Sequence, residues 1–109
     1  MYSNLKLIFF SLIFLAVILE LIADVMLKKW AIGNRNLFFI AGLVIYFLGT
    51  LFWAVSLKYE FLSKAGAIFT ILNLIAISLA GIIMFKEDLS LTNKIGVALG
   101  VLSIILIEL

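Results

Sequence analysis

Two acids stand four residues apart inside an apolar run, Glu20 and Asp24 in "AVILELIADVMLKKW", and Lys28 follows Asp24 at the same spacing. Four residues of α-helix turn through about 400°, so Glu20 and Asp24 lie roughly 40° apart on one helix face. Ala16 and Ala23 flank that face and leave room beside the carboxylates. An ionised acid at the centre of a bilayer costs about 2.5–3.5 kcal/mol on insertion scales, so acids kept there usually mark ion or proton pathways. A carboxyl group withdrawn from water near a second acid binds a proton readily. It can then hold either a proton or a cation, which is what proton–cation exchange requires. Glu20 is the more deeply placed and is the expected proton and substrate carboxylate. Asp24 sits nearer the helix end, where it either joins that site or pairs with Lys28. The structural alternative makes Asp24–Lys28 a helix-end ion pair and has Glu20 satisfied by another helix.

These acids matter only if the run lies in a membrane, and the composition says that it does. Of 109 residues, 67% are hydrophobic and 13% charged, with a mean hydropathy of +1.38. A soluble domain carries about 25% charged residues and roughly half apolar ones. Cysteine and histidine are both absent, which removes disulfides, zinc sites, thiol catalysis and imidazole chemistry. No nucleophile–base pair, metal cluster or phosphate loop is visible, so neither an enzyme nor a cofactor is expected. The formal charge of +2 is too small and too dispersed for nucleic acid. Proline is absent too, so no helix is kinked by a missing backbone donor.

Three apolar windows stand out: Leu7 to Leu27, broken only by Ser11 and the two acids; Leu37 to Leu57; and Ala65 to Phe85, the last two uncharged. Each exceeds the ~18 residues that suggest a membrane span. Ile95 to Ile107 is shorter, roughly 20 Å of helix. Extending it toward Leu89 takes in Lys94, whose stem can snorkel its ammonium to the interface. Continuous apolar runs also disfavour a β-barrel. The expectation is therefore an all-α membrane protein, one domain over residues 1–109, with four transmembrane helices near 7–29, 37–57, 62–85 and 90–107. The connections "KKWAIGNRN", "KYEFLSK" and "KEDLSLTNK" are short, so successive helices must run antiparallel. Ser90 or Thr92 is the candidate cap of the fourth helix. Lys6 before "LIFFSLIFLAVIL" resembles a signal peptide, but no small-x-small cleavage site follows and the pattern continues to Leu27. A span is expected there.

Orientation is nearly balanced. Lys6, Lys58 and Lys64 fall on one side; Lys28, Lys29, Arg35, Lys86 and Lys94 fall on the other. So small a bias makes insertion in both orientations plausible. Other polar and aromatic residues are candidates of lower rank. Thr70 and Asn73 share a face of the third span with Gly66 and Phe69, where interhelical hydrogen bonding is the simplest role. Tyr46 and Trp53 in the second span offer π faces to an organic cation. "GVALG" spaces Gly96 and Gly100 for close helix approach, and Ser103 continues that face. Four helices barely enclose a polar pathway, so a dimer is the economical way to build one.

The whole pattern resembles the small multidrug resistance family. "AVILELIADVMLKKWA" is similar to that family's first helix, with its late glutamate and Lys-aromatic ending. "FWAVSLKY" resembles the end of the second helix, and "AGAIFTILNLIAISLAGIIMFKEDLSL" lies without gaps along the third helix and following loop. "KIGVALGVLSIILI" resembles the fourth, the dimerisation helix. The resemblance implies an antiparallel dimer, a homodimer or a heterodimer, that exchanges protons for small organic cations across the cytoplasmic membrane of a prokaryote. It implicates Glu20 as the shared carboxylate, with Ala16, Val17, Phe52, Phe69 and Thr70 around the chamber. Gly96, Gly100 and Ser103 would lie at the dimer interface. The departures are specific. Phe69 replaces a tryptophan, Gly66 replaces a tyrosine, "ILN" (Ile71–Asn73) replaces a glycine-rich kink, and Asp24 replaces a small hydroxyl residue. They point away from flat aromatic drugs and toward small or multiply charged cations. The alternative expectation is a subunit of the same fold that flips a lipid-linked sugar, or only supports a partner, without proton coupling.

Overall fold

A computed structural model describes residues 2–109, with side chains from Asn4 onward. It contains four helices: α1 (Tyr2–Gly33), α2 (Asn36–Ser56), α3 (Leu62–Met84) and α4 (Leu91–Glu108). No strand occurs among the described residues. All four helices carry segments long and apolar enough to cross a membrane, Asn4–Gly33 in the first and the full length of the others. α1 is longer than the sequence pattern suggested. Its 32 residues extend about 48 Å, beyond the ~30 Å hydrocarbon core.

Local chemistry explains where the helices stop. Asn34 takes a left-handed conformation, φ 57°, a role asparagine fills at helix ends almost as well as glycine. Its N–H donates to the Trp30 carbonyl at 2.6 Å. Around this turn Trp30 stacks on Phe39, with ring centroids 4.7 Å apart. Lys29 and Arg35 sit over Phe38 at 5.9 and 5.8 Å. Such mixed cationic and aromatic groups suit the water–lipid interface. α4 begins at Ser90, whose hydroxyl accepts from the Asn93 N–H at 3.1 Å. Of the two expected caps, Ser90 is the one used. α3 runs unbroken through "ILN".

The α1–α2 seam is built from small residues at seven-residue intervals. Gly42, Gly49 and Ser56 are the buried residues of α2, and Ala16 and Ala23 are fully buried on α1. Seven residues are about two helical turns, so each set forms a straight stripe that a neighbouring antiparallel helix can follow. The fit is tight. A Cβ on Gly42 would sit 3.3 Å from the Ala23 carbonyl oxygen, and one on Gly49 would sit 3.4 Å from that of Ala16. Phe9, Ile13 and Val17 of α1 form the apolar core with Ala65 and Ile68 of α3, and Ile107 of α4 packs on its edge.

Charges close the opposite end. The Lys6 ammonium lies 2.9 Å from Glu108, and Lys64 lies 3.7 Å from Glu108 and 3.6 Å from Glu60. This places the start of α1, the start of α3 and the end of α4 together, as an alternating topology requires. The whole measures 48 × 34 × 18 Å. No residue of α4 is buried. A slab this thin leaves its apolar faces to lipid or to another copy.

Candidate functional site

Glu20 is held near the middle of α1. It stands about 24 Å from Asn4 and about 20 Å from Gly33 along the axis, more central than the shorter sequence span suggested. Beneath its stem is Gly49: a Cβ there would come within 3.1 Å of Glu20 Cγ. Only glycine lets α2 approach the carboxylate this closely. No hydrogen bond or ion pair engages the Glu20 carboxylate among the described residues. It is half-buried and free to take a proton or a cation.

Asp24 lies one turn further along and is engaged differently. Tyr46 Oη donates a hydrogen bond to Asp24 Oδ1, joining α1 to α2. Asp24 Oδ2 is buried with no hydrogen-bond partner among the described residues. Of the two alternatives for Asp24, the ion pair with Lys28 does not form among the described residues. Lys28 instead lies 3.8 Å from Glu87, in the connection between α3 and α4. A phenol from the adjacent helix reaches Asp24 inside the protein, whereas the flexible lysine is drawn outward to an acid at the water-facing end. Tyr46 thus contributes its hydroxyl, where the sequence had suggested its π face.

The other candidate residues fall into three groups. Ala16 is fully buried beneath Gly49, and Val17, 6% exposed, belongs to the apolar core. On α2 and α3, Phe52 and Asn73 are half-buried and Thr70 is exposed. Asn73 Oδ1 is buried with no hydrogen-bond partner among the described residues. Phe69 stacks on Trp53, with centroids 4.8 Å apart and planes at 40°. Trp53 also lies over Gly66, whose Cβ would stand 4.0 Å from the Trp53 Cη2. The indole thus stands at ordinary contact distance from position 66, with the Phe69 ring tilted against it.

On α4 the three candidates differ. A Cβ on Gly96 would meet nothing within 4 Å, whereas one on Gly100 would lie 3.3 Å from Ile71 Cγ2 of α3. Ser103 donates back to the Leu99 carbonyl at 3.0 Å. Gly100 thus packs directly on α3, and Gly96, one turn earlier on nearly the same face, opens onto a groove lined by Leu74 and Ser78 of α3.

Sequence reasoning missed Gly49 and Gly42 as the surfaces under α1. The seven-residue interval from Gly42 through Gly49 to Ser56, matching that from Ala16 to Ala23, is the signal that carries them. It also missed Glu87 as the partner of Lys28, a contact that depends on how a loop folds back. Among the described residues no group of histidine, cysteine or acidic side chains is arranged to hold a metal.

No curated protein and no solved structure matches the chain. Matched over residues 8–100 by the family model for the Small Multidrug Resistance protein, the chain belongs to the small multidrug resistance family, whose members are oligomeric transporters of the lipid bilayer and not enzymes.

Proposed function

We propose that the protein is a proton-coupled exporter of small organic cations, working as an antiparallel dimer with one Glu20 from each subunit in a shared chamber. The observation that carries this reading is Glu20 itself: a mid-helix carboxylate, seated on Gly49 and engaged by no hydrogen bond or ion pair among the described residues. Retaining such a group in a membrane is costly unless it binds something. Its central position has a geometric consequence. Inverting one subunit about an axis in the membrane plane returns a mid-helix residue to the same depth, so two copies of Glu20 can meet. Phe52, Phe69, Thr70 and Asn73 line the chamber, and Ala16 and Val17, buried behind it, support its wall. α4, which has no buried residue, pairs with a second copy or a homologous partner, with Gly96, Gly100 and Ser103 at or bordering that contact. The setting is the cytoplasmic membrane of a prokaryote.

The exchange follows from competition. Two carboxylates sharing a chamber of low dielectric hold protons in coupled steps. A cation that enters displaces those protons, and protons arriving from the other side displace the cation. Adding small alkylammonium salts to purified, weakly buffered protein should therefore release protons in a saturable way. A protein that binds the cation with no proton release would overturn the coupling.

A second reading draws on α3, which runs unbroken where a hinge would help the helix change shape, and on the Trp53–Phe69 stack. It makes the chain a subunit that moves a lipid-linked sugar, or supports a partner, without proton coupling. The same proton-release measurement separates the two.

A further inference from the structure

α1 and α3 part where α3 hands over to the connection before α4, and a cavity of about 180 Å³ lies between them. Leu21, Val25 and Ile77 give it apolar walls, and its polar groups are Asp24, Lys28 and Glu87. The cavity does not include Glu20. Asp24 is about 6 Å deeper along α1 than Lys28. The Lys28 and Glu87 side chains, 47% and 49% exposed, mark the mouth.

The mouth is built rather than incidental. Lys86 takes a left-handed conformation, φ 53°, and turns the chain back over the end of α3. The Glu87 N–H then donates to the Gly81 carbonyl at 3.0 Å. Gly81 makes room for the carboxylate, since a Cβ there would stand 2.5 Å from Glu87 Oε1. Asp24 is fixed from the other side by Tyr46, which leaves Oδ2 buried with no hydrogen-bond partner among the described residues. Lys28 lies 3.8 Å from Glu87, outside the 2.7–3.2 Å of a hydrogen bond. A half-exposed pair at that distance is weak and easily exchanged.

We infer that this cavity is an outer cation-binding station, in which a small alkylammonium group rests between Asp24 and Glu87 on its way to or from Glu20. The inference rests on the cation-transport reading and adds a second site to it. Two carboxylates supply charge and acceptors for an ammonium group, and the apolar walls accept its alkyl part. Lys28 is the resident competitor: its own ammonium holds the place at the mouth that the incoming cation takes. Size sets the ligand class. A dry cavity of ~150 Å³ holds benzene, whereas drug-sized ligands need pockets of roughly 300–1,000 Å³. The station therefore suits compact alkylammonium ions better than bulky aromatic cations. In an inverted pair, the two subunits present their stations to opposite sides of the membrane.

The test uses ethylammonium, titrated into purified full-length protein in bicelles. The Glu20→Gln background isolates the outer station. There, weak saturable binding of ethylammonium should remain, and tetraphenylphosphonium should not bind. Lys28→Met in that background should tighten ethylammonium binding about two- to fivefold, the scale of a half-exposed charge interaction. Glu87→Gln should weaken it by a similar factor, and Gly81→Ala, which displaces the Glu87 carboxylate without removing it, should do the same. Two results overturn the station: loss of all binding with Glu20→Gln, or residual binding that the Lys28, Glu87 and Gly81 variants leave unchanged. Failure of the transport reading looks different. It appears as proton release that survives Glu20→Gln, whatever the Lys28 and Glu87 variants do.

Discussion

Replacing Gly49 by alanine adds one methyl group where α2 passes beneath Glu20. The new Cβ would stand 3.1 Å from Glu20 Cγ, 3.4 Å from Leu19 Cβ and 3.4 Å from the Ala16 carbonyl oxygen. Carbon atoms prefer roughly 3.5–4.0 Å, so the Glu20 stem must give way by about 0.4 Å or more. One methyl group of overpacking costs about 1 kcal/mol, the low end of its usual range. Alanine regains about 0.8–1.0 kcal/mol over glycine as a helix former. The two nearly cancel, and the fold should survive within about 1 kcal/mol. The carboxylate, however, moves by a distance comparable with the ~0.5 Å tolerance of a binding constellation. Affinity for a small alkylammonium ion should fall roughly three- to tenfold, or about 0.7–1.4 kcal/mol. Gly42→Ala is the control. Its Cβ would meet Leu27 Cδ2 at 3.0 Å and the Ala23 oxygen at 3.3 Å, a similar crowding of the seam with no binding group beside it. The assay is a titration on reconstituted protein, with helicity and the detergent-unfolding midpoint as fold controls. A folded Gly49→Ala protein within about twofold of wild-type affinity, or a Gly42→Ala protein equally impaired, would refute the claim that the seam positions Glu20.

Three further outcomes are expected. Tyr46→Phe should destabilise the fold by about 0.6–1.7 kcal/mol, the measured scale of hydrogen bonds between membrane helices. The same change should cost almost nothing beside Asp24→Ala, and a double-mutant cycle of unfolding in detergent reads the difference. Gly96→Leu should weaken the dimer, with helicity as the fold control, because a Cβ there would meet nothing within 4 Å among the described residues and the position opens onto a groove shared with Leu74 and Ser78 of α3. Size-exclusion chromatography with light scattering checks this, and an intact dimer counts against pairing through α4. With the Phe69 ring tilted against Trp53, ethidium should bind at least about tenfold more weakly than a small aliphatic cation; tight ethidium binding by fluorescence titration would contradict that.

The fold was legible because membrane helices write themselves plainly in sequence. The uncharged runs of α2 and α3 give their spans to within three residues, and short charged connections give their alternation. α1 was read as too short because Tyr2–Leu5 and Lys28–Gly33 are not continuously apolar; helix hydrogen bonding continues past the hydrocarbon edge, where hydropathy ceases to report it. Glu20 was legible for the opposite reason, as the residue that violates the pattern. The partners of the acids were not. Spacing along one helix favours Asp24–Lys28, but Tyr46 comes from another helix and Glu87 from a loop folded back onto Gly81. Contacts between elements depend on rotation and register, which apolar composition alone leaves open. The glycines of α2 could have supplied that register, since Gly42, Gly49 and Ser56 mark the face that α1 must touch.

The central claim is that Glu20 binds the proton and the cation in turn, and it is tested most directly by cation affinity measured against pH. For the wild-type protein, affinity for a small alkylammonium ion should rise with pH as the paired Glu20 carboxyl groups lose their protons, and level off once both are ionised. Asp24→Asn should lower affinity or shift preference among cations while the pH dependence persists. Glu20→Gln should abolish the pH-dependent, high-affinity binding together with proton release on cation addition, leaving at most the weak binding of the outer station. If Glu20→Gln instead retains wild-type affinity and its pH profile, Glu20 is a structural residue and the exporter account is wrong.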